Sequence, residues 1–214
     1  MTAGLIDDAD TWDTFVNESV SGRLFHKWDF MKITEKHTGF TFLPYGIFRG
    51  NELICIFPLF KKQIHGLTIL LSPPPLQSVI PYLGFIMGQS YDAAKQSKKE
   101  SMLRSVAEDL ESEIAALAPN YLALTQVPGF IDIRQFLREG YEARIHFSYV
   151  IDLEPPLAEI WNGLLIQPPH QTAESREERL PLREEHRRLG LLLHRRGTVQ
   201  RPGHEHPDDQ PGLL

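Results

Sequence analysis

Apolar positions along the first three quarters of the chain recur with two periods. Trp12, Phe15, Val16 and Ser19 fall at helical spacing, which predicts a helix over 10–20 with Asp10 or Thr11 as its cap. A second helix is expected through Phe25, Trp28, Phe30, Met31 and Ile33, ending near Gly39. The pattern then changes to period two and continuous apolar runs. Phe42–Phe48 and Glu52–Phe60, joined by Arg49-Gly50-Asn51, predict a hairpin. Leu67–Leu71 reads as a third strand halted by Ser72-Pro73-Pro74-Pro75, with Tyr82–Met87 as its continuation beyond a proline-rich loop.

Leu103, Val106, Leu110, Ile114 and Leu117 recur at three and four, so 92–117 is expected to be helical, stopped by Pro119. Tyr121–Val127 then predicts a strand, and Ile131–Glu139 a short helix closed by Gly140. Arg144–Leu153 is the last predicted strand, and 155–163 a helix start with Pro155 and Pro156 in its first turn. Helices on both sides of a strand-rich front end and a crossover at the back give an α/β fold. The expected architecture is a three-layer sandwich around a mixed, largely antiparallel sheet.

Composition divides this picture in two. All 21 aromatic residues lie in 1–161, and the eight lysines lie at or before Lys99. From 165 to 214 there are eight Arg and no Lys, with five of the nine His and six of the 16 Pro. Such a segment can bury little beyond its few leucines, so 1–164 is expected to be the folded domain and 165–214 a disordered tail. A natural flexible tail and a reading-frame change near Leu164 both explain the break. A stretch with neither lysine nor aromatic residues after Trp161 is what a frame change in GC-rich DNA tends to give.

Charge and cysteine content narrow the class further. A net charge of -6 argues against nucleic acid as the main partner, because phosphate binding needs a basic face. One cysteine, Cys55, excludes an internal disulfide framework, and no run of 18 apolar residues is present. The acidic N-terminus lacks a signal pattern, so the expected location is cytoplasmic. The chain has no G-x-S-x-G elbow, phosphate loop, G-x-G-x-x-G or H-E-x-x-H. No metal site is expected, and His204-Glu205-His206 reads as part of a solvated tail. Two segments approach the Q/R-x-x-G-x-G/A loop that holds the pyrophosphate of acetyl-CoA. Gln126–Ile131 and Arg187–Leu192 both fail at the last position, where a small residue must let the phosphate approach the backbone.

Ser72-Pro73-Pro74 followed by Pro81-Tyr82-Leu83-Gly84 resembles a stretch of the FemAB-like, or BioF2-like, acetyltransferase-domain proteins of the GNAT superfamily. The resemblance extends to Trp12-x-x-Phe15-Val16, Leu24-Phe25-His26, Gly46-Ile47-Phe48 and Ile56-Phe57-Pro58-Leu59-Phe60. It continues through Asp132-x-Arg134-x-Phe136, Gly140-Tyr141 and Tyr149-x-Ile151-x-Leu153, and covers about residues 10–163. It implies the first of two GNAT-like halves of an enzyme that transfers an acyl or aminoacyl group to an amine. The donor would be acetyl-CoA or aminoacyl-tRNA, bound outside this half. The acceptor would be a small-molecule or cell-wall-precursor amine. With the resemblance stopping at about Leu164, this chain is expected to lack the catalytic half and to be weak or inactive. A non-catalytic binding module or a pseudogene product is the alternative. A missing second half would leave apolar surface exposed and promote self-association.

Six residues are candidates for substrate binding. Asp132 and Arg134, two apart near a helix start, suit an incoming amine and an anionic group respectively, or else a capping acid and an ion pair. Tyr82, Tyr141 and Tyr149 suit a cleft lining or a core with bonded hydroxyls. His26 suits a general base or a satisfied histidine on an aromatic helix. The Ser72–Pro75 run reads as a stiff turn shaping a wall, and Cys55 as packing.

Overall fold

The computed structural model describes residues 1–75, 80–130, 132–149, 152–164 and 187–196. Strand β1 (Thr2–Leu5) leads into helix α1 (Ala9–Glu18), a single 3-10 turn at Leu24–His26, and helix α2 (Trp28–Thr38). A meander follows: β2 (Thr41–Arg49), β3 (Glu52–Ile64) and β4 (Leu67–Ser72). The short strand β5 (Ile86–Met87) and helix α3 (Gln89–Asp92) precede the long α4 (Gln96–Ala116). Then come β6 (Tyr121–Thr125), α5 (Arg134–Arg138), β7 (Glu142–Tyr149), α6 (Leu157–Leu164) and β8 (Arg187–Arg196).

Local chemistry sets these boundaries. Asp8, not Asp10 or Thr11, caps α1: its carboxylate accepts from the Thr11 backbone N–H at 2.9 Å. Helix α2 closes at Gly39, whose φ of 65° supplies the left-handed cap and sends its N–H to the Glu35 carbonyl. The β2–β3 turn has Gly50 at φ 61°, and the β3–β4 turn places His65 and Gly66 at φ 50° and 81°. Positive φ is what two-residue hairpin loops require, and both pairs hold β2, β3 and β4 in antiparallel register.

The sheet runs β1-β2-β3-β4-β6-β8-β7, with β5 paired to β3. Among the described residues its one parallel pair is β4–β6, from Ile69 opposite Tyr121 to Ser72 opposite Leu124. A parallel pair needs a crossover, and α4 supplies it. Period-two alternation splits the strand residues between two cores. Phe57, Leu59, Leu70, Leu122 and Leu124 pack with Met102, Val106, Leu110 and Ile114 of α4 and with Phe136. Phe42, Ile56 and Phe60 pack with Trp12, Phe15, Val16 and Met31 on the opposite face. Helices therefore cover both faces, and the architecture is the α/β sandwich with a mixed, largely antiparallel sheet that the sequence predicts.

A bulge modifies the alternation at one point. Ile47 pairs with Cys55 and Phe48 with Leu53, which leaves Ile54 as the extra residue. Ile54 and Cys55 thus share one core, and the Ile54 carbonyl turns to accept from Gly88 N–H at 2.9 Å.

Three expectations change. The span Tyr82–Met87 is not one strand: Leu83 N–H bonds the Thr125 carbonyl at 2.9 Å, while only Ile86 and Met87 pair with β3. Helix 92–117 is two helices, with a break between Asp92 and Gln96. Arg187–Arg196, inside the segment expected to be disordered, is a strand between β6 and β7. Its apolar run Leu189–Leu193 lets it fill a sheet position despite the polar composition around it. The remainder of the expected tail, with His204-Glu205-His206, lies outside the described residues.

Candidate functional site

Strands β4 and β6 stay paired only as far as Ser72 and Leu124. Beyond that point the segment Leu83-Gly84 comes between them. Its contacts are polar and buried. The Ser72 hydroxyl donates to the Pro58 carbonyl at 2.6 Å and accepts from Gly84 N–H at 3.0 Å. Leu83 N–H takes the next acceptor on the β6 side, the Thr125 carbonyl. His26 Nε2 lies 3.0 Å from the Leu83 carbonyl, so that nitrogen carries the proton and donates. Gln126, directly after β6, lies wholly buried against Gly84.

Gly84 is required here for two reasons. Its φ is 64°, and a Cβ would sit 2.2 Å from Gln126 Oε1 and 3.1 Å from Gln126 Cα. Only a residue without a side chain permits this approach. Three of the six buried polar residues among the described ones, His26, Ser72 and Gln126, therefore gather on two consecutive residues. The surroundings are apolar. Leu83, Phe85 and Ile86 are core residues, and Phe85 touches the rings of Phe57, Phe130 and Phe136.

His26 is held from two directions. The Trp12 indole N–H donates to the His26 carbonyl at 2.6 Å. Burial, followed by a weaker contribution from Arg23, pushes the imidazole down to about 4, so it is neutral at physiological pH. As a general base it would need access to a reacting proton, and it is 0% exposed. It acts as a buried hydrogen-bond donor to the Leu83 carbonyl. Tyr82 stands beside it in the chain fold, its ring edge-on to Phe25 at 5.7 Å.

The other candidates lie elsewhere. Tyr141 is buried, edge-on to Phe136, and its hydroxyl donates to Glu111 of α4. The Asp132 carboxylate accepts from Arg134 Nε at 2.9 Å and Nη2 at 2.8 Å, and Arg134 Nη2 also meets Glu100 at 3.1 Å. The guanidinium holds the Asp132 carboxyl below its usual range, with burial opposing. Arg134 is largely exposed, and such pairs add little to stability. Tyr149 ends β7 opposite Arg187, and its side chain is outside the described residues. The structure thus brings His26 and Tyr82 together and keeps Asp132–Arg134 and Tyr141 apart from them.

Neither near-miss phosphate loop has the required shape. Gln126–Phe130 is a turn closed by Phe130 N–H to the Val127 carbonyl, and α5 starts only at Arg134. Arg187–Leu192 lies in β8. Among the described residues no group of three His, Cys, Asp or Glu side chains is placed to hold a metal ion. No helix among them is long and apolar enough to cross a membrane.

No family model matches the chain. No curated protein matches it either. Three solved structures superpose on parts of the chain. FemX superposes with a TM-score of 0.47 at 16% identity, over 72% of this chain and 35% of FemX. This chain thus spans about a third of FemX. The ribosomal-protein-S18-alanine N-acetyltransferase from Escherichia coli gives 0.44 at 9% identity, over 96% of this chain and 97% of that one. An acetyltransferase from Bacillus subtilis in complex with CoA gives 0.43 at 10% identity, over 92% and 99%.

Proposed function

We propose that this chain is the first, acceptor-side half of a FemAB-like N-acyltransferase, which passes an acyl or aminoacyl group to an amine. In this reading acetyl-CoA or aminoacyl-tRNA binds a second GNAT-like half, and this chain alone is weak or inactive. The fold by itself does not decide function. The observation that carries the reading is the filled gap beyond Ser72. Leu83-Gly84 uses the Thr125 carbonyl and the Ser72 hydroxyl that an extended ligand between the strands would need. Displacing it would expose Leu83 and Phe85, at a cost of about 2 kcal/mol for each side chain. The motif resemblance over 10–163 supplies the acyltransferase assignment.

Titration of the purified chain with acetyl-CoA in a calorimeter is expected to give no heat of binding. Micromolar affinity would overturn the division of labour between halves. Resequencing around codon 164, with translation of all three frames, tests the truncation. A frame that continues into a second strand-rich half supports the enzyme reading. The filled gap also favours the second reading, a non-catalytic binding module, if no frame continues.

The partner follows from the same proposal. Leu157 and Trp161, four apart on α6, are 77% and 62% exposed, and Leu153 just before the helix is 78% exposed. An apolar stripe of this kind at α6 suits contact with a second half. Without it, sedimentation velocity is expected to show concentration-dependent self-association that Trp161→Ser weakens. A concentration-independent monomer would count against this surface as an interface.

A further inference from the structure

The apolar row Leu124–Leu193–Ala143 runs across β6, β8 and β7. Leu124 and Ala143 belong with the core that α4 covers, so this row marks the α4 side of the sheet. The next rows on that side are Ile145 with Leu191 and Phe147 with Leu189. Strand β6 ends at Thr125, opposite Leu192, and does not extend into either row. The cover ends there too: Ile145 is 59% exposed. On the other side of the same strand Arg144 and His146 are exposed, as suits a solvated face.

Helix α6 has the complementary lack. Leu157, Ile160, Trp161 and Leu164 recur at three and four, and Leu157 and Trp161 stand in solvent. The helix follows β7 in the chain, yet it leaves the Ile145 face of its own copy open. Two unpartnered apolar surfaces thus sit in one chain, and their sizes agree. A helix of eight residues rises about 12 Å, and Ile145 to Tyr149 spans about 13 Å of β7. We propose that two copies of the chain pair by reciprocal docking, with α6 of each on the β7–β8 face of the other. A two-fold arrangement makes this contact twice and takes both apolar surfaces out of water. An anionic or strongly polar partner suits neither surface. The inference rests on the reading of α6 as an interface, and it names the surface that receives the helix.

The test uses the full chain in two single variants, Ile145→Cys and Trp161→Cys. Both positions are largely exposed, so neither substitution removes core packing. Cys55 does not compete, because it is 0% exposed and burial pushes its thiol pKa up. Mixed and treated with a short bifunctional maleimide, the two variants are expected to link unlike copies in clear excess over either like pair. Ile145→Lys in the otherwise unchanged chain is expected to weaken self-association in sedimentation by about tenfold or more. Links between Trp161→Cys copies alone would mean helix on helix. A link inside a monomer carrying both cysteines would mean that α6 covers its own face. Either result overturns the proposal, and so does self-association with no link between the two positions. A monomer at every concentration overturns it together with the α6 interface. Heat on titration with acetyl-CoA overturns the division between halves and leaves this contact standing.

Discussion

Trp12→Ala is expected to lower the stability of the fold by about 3–5 kcal/mol, the range for deleting a fully buried large aromatic. Trp12 is the contact between α1, α2 and the sheet. Its ring is edge-on to Trp28 at 6.0 Å and to Phe42 at 5.6 Å, and Phe42 stacks on Phe60 of β3. Alanine would open a void that two helices and a strand must share. A second effect adds to the void: the indole N–H is the donor for the buried His26 carbonyl. Trp12→Phe separates the two. It keeps most of the aromatic volume and removes the donor, for an expected loss of about 1–3 kcal/mol. Urea unfolding of the wild type and both variants gives the comparison. If Trp12→Phe is as damaging as Trp12→Ala, the lost ring volume is not what destabilises the fold. If Trp12→Phe costs nothing, the bond to His26 carries no weight.

What was legible in the sequence follows from where the cause of each element lies. The hairpins are local events: Gly50 and the His65-Gly66 pair supply positive φ between apolar runs, and the strands appear where expected. The α4 stripe, from Met102 to Ile114, is legible for the same reason. Strand β1 is not. Thr-Ala-Gly-Leu is short, contains glycine and is largely unburied, so its strand character comes from pairing with Tyr45–Phe48 of β2. Strand β8 was hidden because composition over 165–214 outweighed one apolar run inside it.

The site was half legible, and the missing half is nonlocal. His26 was readable as a histidine among aromatics, but its full burial depends on Leu83, 57 positions away. Tyr82 was readable as a cleft lining or a core aromatic. From sequence Gln126 reads only as the first residue of a near-miss phosphate loop. Glutamine is ordinarily exposed, and nothing in β6 or the residues after it announces that Leu83-Gly84 will cross over it. The glycine in Pro81-Tyr82-Leu83-Gly84 carried the usable signal, because an ungapped close approach needs a residue without a Cβ. Tyr141 shows the opposite case. A strand-end aromatic suits a cleft lining or a core position with a bonded hydroxyl, and here the hydroxyl donates to Glu111 of α4 and the ring belongs to the packing.

The buried imidazole makes stability depend on pH in a calculable direction. In the unfolded chain His26 titrates near 6.5, and in the folded chain burial lowers this to about 4. Between those values the unfolded state binds a proton that the folded state refuses. Stability from this group is therefore fully present above about pH 6.5 and is lost as pH falls toward 4. The difference amounts to about 3 kcal/mol across that window. Arg23 adds to the effect by repelling the imidazolium, and the Leu83 carbonyl opposes it by accepting its proton. Carboxylates held low by partners, such as Asp132 beside Arg134, destabilise the fold in the same direction at lower pH, so a reference is needed. His26→Gln supplies one. Its amide nitrogen can still donate to the Leu83 carbonyl, and it does not titrate. Urea unfolding at steps from about pH 7.5 to 4 is expected to show the wild type losing about 3 kcal/mol more than His26→Gln over this range. Parallel curves for the two proteins would mean that His26 reaches solvent in the folded state. The packing of Leu83-Gly84 over it would then be wrong.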